Sequence, residues 1–402
     1  MDEVDVPPQF LCPISLQLMR DPVTVSTGIT YDRENIERWL FSCKQYTCPA
    51  TKQSLTETDL TPNHTLRRLI QAWCTLNASF GIERIPTPKS PVDKTQIVKL
   101  LNEAKKFPNL QVKCLRRLRS IAFESERNLN CLEAAGAIEF LASSMKNNDY
   151  DSTVSEAVVE VLSHLKLSHD HFKNLVNNDG IEFIESLVKV LRNGNFQSRA
   201  NAIMLLKSAF EVADPTHLIS VKTELFVEVV RVLQYRISQQ VSKASLILLM
   251  ELCPWGRNRI KAVEGGAVLV LVELLIEVMD RRVCEMLLIV LDQLCRCAEG
   301  RAELLNHGAG LAIVSKKILR VSHVASDRGV RILTSICRYS ATCKVLQEML
   351  QVGIVSKLCL VLQVDTSLKT KERAKEILKL HSRVWKNSTC IPSHLHSSYP
   401  SN

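Results

Sequence analysis

Phe10-Leu11-Cys12-Pro13-Ile14-Ser15, then Asp21-Pro22-Val23, then Gly28-Ile29-Thr30-Tyr31-Asp32-Arg33 follow one another early in the chain, ahead of Ile36, Trp39, Cys48-Pro49 and Thr61-Pro62-Asn63-His64. Their local patterns describe a small module. Val23 to Val25 and Thr30-Tyr31 flank Ser26-Thr27-Gly28 and predict a β-hairpin. Asp32 is a candidate N-cap for a helix over Arg33 to Phe41. Asn63 is placed to cap a second helix, with Leu66, Leu69, Ile70 and Trp73 as its apolar stripe. So short a module has a marginal core, and such modules often rely on a metal. Up to residue 80 the thiols are Cys12, Cys43, Cys48 and Cys74, and His64 is the only imidazole. A zinc cross-brace uses close Cys-x2-Cys pairs, and this stretch has none. Packing and a polar network are therefore expected to hold it, with no metal and no cofactor.

Taken in order, these residues resemble the U-box, the zinc-free relative of the RING ubiquitin-ligase domain. The resemblance implies a ubiquitin ligase that docks a ubiquitin-charged conjugating enzyme through a first loop, a central helix and a second loop. Residue by residue, it implies that Cys12, Ile14, Leu16, Trp39 and Pro49 meet that enzyme. Lys52 stands where the family keeps a basic residue that bonds to both the enzyme and its ubiquitin. Each position also has a plainer reading by itself. A lone Cys12 is a small buried apolar side chain, Trp39 fits the helical core stripe with Ile36 and Leu40, and Pro49 is a loop residue.

Outward from the module, the chain of 402 residues has room for more than one domain. Hydrophobic residues make up 46% and aromatic residues 5%, a balance that suits packed helices rich in Leu, Val and Ile. The acidic start Met1-Asp2-Glu3-Val4-Asp5 lacks the order of a signal peptide. The longest apolar run, Ala267 to Met279, is interrupted by Glu273 and Glu277 and is too short to span a membrane. The 14 cysteines have no framework spacing, so reduced thiols are expected, in the cytoplasm and in the nucleus as a second compartment. Cys295-x-Cys297 lies within an apolar helical pattern and reads as core. The net charge of +9 is spread out, with mild concentrations at Arg116-Arg117-Arg119 and from Lys369 to Lys386. It lacks the interleaved aromatics of a base-stacking surface, so no nucleic-acid partner is expected.

Pro86, Pro88 and Pro91 mark residues 79–92 as a stiff linker between the module, residues 6–78, and the rest of the chain. Beyond it, small-residue junctions recur at Gly136-Ala137-Ile138, Gly180-Ile181, Gly266-Ala267-Val268, Gly308-Ala309 and Gly353-Ile354-Val355. The gaps are 44, 86, 42 and 45, which places a masked junction near Thr223. Each unit reads as apolar helix, polar turn, second long helix and short helix. That period, with about three helices per unit, is that of armadillo-type repeats, whose stacking forms a concave solenoid. The solenoid is expected over 93–386, closed by a helix from Lys371 to Trp385 with Ala374, Ile377, Leu378 and Trp385 inward, and followed by a flexible tail over 387–402. The fold class is thus mainly α: a small α+β module followed by an α-solenoid.

The arrangement as a whole resembles the plant U-box armadillo ubiquitin ligases. Ile85 to Pro91, Cys253-Pro254-Trp255-Gly256-Arg257-Asn258-Arg259, Ala298 to Glu303 and Val314 to Ser322 are similar to one clade of that family. The resemblance implies protein substrates held on the solenoid and a role in defence signalling and water stress. No cysteine is paired with a basic residue and His as an activated nucleophile would be, so transfer without a covalent intermediate is expected. The other readings are a ligase with its own catalytic cysteine and a non-catalytic scaffold or adaptor. An importin-like groove would need repeated Trp and Asn at i and i+4, and the solenoid has only Trp255 and Trp385. Thr61-Pro62, Thr87-Pro88 and Ser90-Pro91 make Thr61, Thr87 and Ser90 candidate phosphosites. Thr61 is of most interest, because a phosphate there would bear on self-association, a homodimer being a further expected partnership.

Overall fold

A strand at Pro22–Thr24 (β1) is the centre of a three-stranded antiparallel sheet, with Thr30–Asp32 (β2) on one side and Thr61–Pro62 (β3) on the other. Val23 pairs with Tyr31 and with Pro62, and the hairpin turns at Gly28, whose φ of 80° suits a residue without Cβ. The structure, a computed structural model, describes residues 5–43, 45–55, 59–83, 92–147, 152–165, 167–385 and 399–400. Most of the expected linker, including Thr87 and Ser90, and most of the expected tail lie outside the described residues. The chain divides into two compact units, residues 1–144 with 160–166, and residues 145–159 with 167–402.

In the first unit, Arg33–Glu37 (α1) leads into a wider π turn over Arg38–Ser42, closed by Cys43 N–H on Arg38 O at 3.0 Å. His64–Leu76 (α2) follows β3. Asn63 caps it as expected, with Oδ1 accepting from Leu66 N–H at 3.0 Å. Asp32 does not cap α1. Its Oδ1 accepts instead from Arg20 N–H (3.0 Å) and Asp21 N–H (2.8 Å), because the preceding loop brings two unpaired amides within reach. The expected stripe on α2 is also narrower. Ile70 is buried, whereas Leu69 is 54% exposed and Cys74 takes the inward place four residues after Ile70. Tyr31, Ile36, Leu40, Val23, Met19 and Cys48 form the centre of this core. Three further helices pack together in the unit: Lys94–Lys106 (α3), Pro108–Glu124 (α4) and Glu126–Ala134 (α5). Ala137–Asn147 (α6) and Ser152–His164 (α7) come next in the chain.

The second unit is helical. His169–Asn193 (α8), Phe196–Glu211 (α9) and Pro215–Ser220 (α10) are followed by Thr223–Tyr235 (α11), Gln239–Leu252 (α12) and Asn258–Glu264 (α13). Ala267–Glu277 (α14), Arg281–Leu294 (α15) and Ala298–Asn306 (α16) form the next set, then Gly310–Lys317 (α17), His323–Tyr339 (α18) and Cys343–Gln351 (α19). Ile354–Gln363 (α20), Leu368–Leu380 (α21) and Ser382–Trp385 (α22) finish the series. The masked junction is real, since α11 starts at Thr223. The one at Gly180 is absent, since α8 runs through it. Phe172, Val176, Phe183, Leu187 and Val190 keep one apolar stripe in phase across Gly180. A continuous buried face outweighs the cost of about 1 kcal/mol for a glycine inside a helix. The inward faces expected of Ala374, Ile377, Leu378 and Trp385 are present, each at most 1% exposed. No single described helix is long and apolar enough to cross a membrane.

The helices α9, α12, α15, α18 and α21 pack in sequence as one layer of the second unit. Side chains about one repeat apart fasten successive repeats, two of them within this layer and one from α13 to α10. Ser335 Oγ donates to Cys295 O at 2.7 Å, Gln293 Nε2 to Met250 O at 3.2 Å, and Asn258 Nδ2 to Leu218 O at 2.7 Å. Their acceptors are carbonyls at or beyond helix ends, which lack partners within their own helix.

Candidate functional site

Two loops of the first unit are built on the same turn. Cys12 N–H donates to Gln17 O and Leu16 N–H to Cys12 O, and Cys48 N–H donates to Gln53 O and Lys52 N–H to Cys48 O, all at 2.8 Å. The sequences match as well, Cys12-Pro13-Ile14-Ser15-Leu16-Gln17 against Cys48-Pro49-Ala50-Thr51-Lys52-Gln53. This internal repeat, 36 residues apart, is a signal that the reading by family resemblance passed over. The fifth residue of each loop is left-handed, Leu16 at φ 56° and Lys52 at φ 62°. Neither is glycine, so each carries a backbone cost of about 1–2 kcal/mol. Both side chains face solvent, with Leu16 73% exposed.

One face of the central helix holds both loops. Asn35 Nδ2 donates to Ser15 Oγ of the first loop at 3.0 Å. Four residues on, Trp39 Nε1 donates to Thr47 O beside the second loop at 2.7 Å. Lys52 Nζ sits 5.7 Å from the centroid of the Trp39 ring, close enough for a cation–π contact. Ile14, Trp39 and Pro49 are half-buried, and the first two pack one side against the core. Ile14, Leu16, Trp39, Pro49 and Lys52 therefore share a surface built on one scaffold.

Cys12 does not belong to that surface. It has no exposed area, and its Sγ accepts from Asp32 N–H (3.3 Å) and Asn35 Nδ2 (3.6 Å). The first loop folds over it, so its part is to hold the loop. Cys48 has the matching place in the second loop, also fully buried. Burial alone would raise its thiol, yet hydrogen bonds from Thr27, Thr51 and Tyr31 outweigh it and bring the group down to about 6. The Tyr31 hydroxyl accepts from Ala50 N–H at 3.0 Å, which leaves its proton for Cys48 Sγ, also at 3.0 Å. A thiolate so enclosed is a structural acceptor, with no path to a partner's thioester. Ion pairs from Arg33 to Asp21 (2.6 Å) and Glu37 (3.6 Å) complete the polar network. Among the described residues no three His, Cys, Asp or Glu side chains come together to hold a metal ion.

Thr61 is exposed on β3, at the edge of the sheet. Of the basic residues that follow, Arg67 is engaged by His64 Nδ1 (3.0 Å) and faces Asp21 at 4.0 Å, while Arg68 points to solvent.

Residues 6–79 match the U-box domain, and residues 96–401 match the plant U-box protein ARM repeat region. The chain is 54% identical over 403 residues to E3 ubiquitin-protein ligase PUB23 of Arabidopsis thaliana, covering 99% of this chain and 98% of that protein. It is 52% identical over 431 residues to E3 ubiquitin-protein ligase PUB22 of the same plant, covering 99% of each. Identity to E3 ubiquitin-protein ligase PUB24 is 36% over 438 residues, covering 97% of this chain and 95% of that protein.

Proposed function

The chain belongs to the plant U-box proteins with an ARM repeat region and is a ubiquitin-protein ligase; from that premise we propose that it docks a charged conjugating enzyme on Ile14, Leu16, Trp39, Pro49 and Lys52. The observation that carries this reading is the pair of matched loops tied to one helix face by Asn35 and Trp39. A groove edge formed by two rigid loops presents apolar anchors in fixed positions, which reduces the entropy lost on binding. Lys52 is placed to donate to the enzyme and its ubiquitin together, and Trp39 supports it from below. The ligase itself contributes orientation and effective concentration, and the reacting thiolate belongs to the conjugating enzyme. The test is self-ubiquitination with a panel of conjugating enzymes. Leu16→Ala and Ile14→Ala remove interface anchors worth about 2 kcal/mol, roughly thirtyfold in affinity. Undiminished transfer by both variants would sink the docking assignment.

The layer of α9, α12, α15, α18 and α21 is, in the same reading, the face that selects protein substrates. The setting we propose for it is defence and water-stress signalling in the cytoplasm, with the nucleus as a second compartment, a reading that rests on the resemblance of Ile85 to Pro91, Cys253 to Arg259, Ala298 to Glu303 and Val314 to Ser322 to one clade of the family. Thr61 is its switch. A phosphate of about −1.5 to −2 charges on the open edge of β3 would repel a second copy paired there and so reduce self-modification within a homodimer. Sedimentation and self-ubiquitination of wild type, Thr61→Ala and Thr61→Glu test this, with the Thr61→Glu protein expected to be monomeric and less self-modified. Identical behaviour of all three would remove the switch.

A further inference from the structure

Three guanidinium groups converge on one carboxylate in the layer of second long helices. Asp292 of α15 is 3% exposed. Its Oδ2 lies 2.9 Å from Arg328 Nη1, 2.9 Å from Arg331 Nε and 3.7 Å from Arg296 Nη2. One guanidinium is enough to neutralise a carboxylate, so three Arg against one Asp leave a formal surplus of two positive charges. None of the three makes a further ion pair among the described residues. Nearby charges on the same helices are balanced: Arg338 pairs with Glu376, and Arg373 pairs with Asp327 at 2.7 Å. The surplus is thus local.

The geometry leaves donors free. A guanidinium has five N–H groups in a planar fork. Arg328 uses Nη1 and Arg331 uses Nε on Asp292, so each keeps donors for a second acceptor. The side chains of Arg296, Arg328 and Arg331 are 47%, 27% and 27% exposed, so an incoming group can reach them. Asp292 holds the forks in place beforehand, which lowers the ordering cost when a ligand arrives.

We propose that this cluster docks an acidic segment of a protein partner, a stretch of Asp or Glu side chains lying across α15 and α18. The proposal rests on the reading of this layer as the substrate face and gives that substrate its chemistry. A carboxylate suits a free Arg fork in bidentate geometry. A polynucleotide would need a continuous track of free cations, whereas the surplus here is confined to three guanidinium groups around one carboxylate.

The experiment measures fluorescence anisotropy of the full chain with a short labelled peptide of alternating Asp and Ser. The same peptide with Asn for Asp and a labelled single-stranded oligonucleotide are the comparisons. The acidic peptide should bind, weaken with added salt, and outcompete both others. Arg296→Gln, whose contact to Asp292 is the longest, and Arg331→Gln should each weaken it roughly tenfold. Melting curves check the fold of each variant. Equal binding of the Asn peptide, insensitivity to Arg296→Gln with the fold intact, or preference for the oligonucleotide overturns the proposal. Self-ubiquitination is read alongside. Normal self-ubiquitination without acidic-peptide binding defeats this inference and leaves the docking reading intact. Peptide binding without self-ubiquitination does the reverse.

Discussion

Leu16 and Trp39 lie on one surface but answer to different forces, and substitution separates them. Leu16 is 73% exposed and lies outside the core cluster of the first unit, so Leu16→Ala should lower ubiquitin transfer with the melting temperature unchanged. Trp39 also ties Thr47 and supports Lys52, so Trp39→Ala should lower both transfer and stability, by about 1–3 kcal/mol for the stranded carbonyl and lost packing. Equal stability loss in the two variants would refute the distinction. Cys48 provides a pH test. Its thiol is lower in the folded chain than the usual 9.0, at about 6. The thiolate therefore adds stability that is complete above pH 9 and is lost as pH falls through about 6. Cys48→Ser should lower the melting temperature more at pH 9 than at pH 6, and a pH-independent difference would contradict the assignment. At this scale the sequence was partly legible. Family positions named Ile14, Trp39, Pro49 and Lys52, all of which keep some area open to solvent, but they also named Cys12, which is fully buried. A cysteine's type does not tell whether its sulfur faces a partner or an amide, and only the loop closure decides it.

Helices and their junctions were the most legible elements. Asn63 capped α2, and junction spacing found α11 without a glycine to mark it. The misses, Asp32 and Gly180, share a cause. Local propensity was outweighed by tertiary geometry, by two loop amides in one case and by a continuous apolar stripe in the other. Gly300 is the converse, a residue whose need comes from packing that spacing does not reveal. A Cβ there would lie 2.1 Å from Leu294 O, where α16 crosses the end of α15. Gly300→Ala should destabilise the second unit by about 3 kcal/mol, measured by urea unfolding. Gly266→Ala meets no atom within 4 Å and is strained only by its φ of 81°, so it should cost about 1–2 kcal/mol. The reverse order would undo the close-approach account. The Arg296, Arg328 and Arg331 cluster was not legible at all, because Arg328 and Arg331 come from α18 and Arg296 from the turn after α15, and they meet only when the repeats stack.

For the whole molecule, the first unit reaches well past the U-box. It takes in α3, α4 and α5, which pack together, and α5 touches the π turn of the central helix. A chain cut after residue 166 should therefore keep self-ubiquitination and lose substrate capture. Retained capture of a native substrate would place selection outside the second unit. The carbonyl clamps between repeats carry a consequence for how the chain is made. Leu218 O, Met250 O and Cys295 O wait for donors that come 40, 43 and 40 residues later. A ribosome adding about 5–20 residues per second delivers each donor some two to nine seconds after its acceptor. During synthesis each of these three carbonyls stays unmatched until the next repeat has been added, and the U-box is complete long before the last of the repeats has been translated.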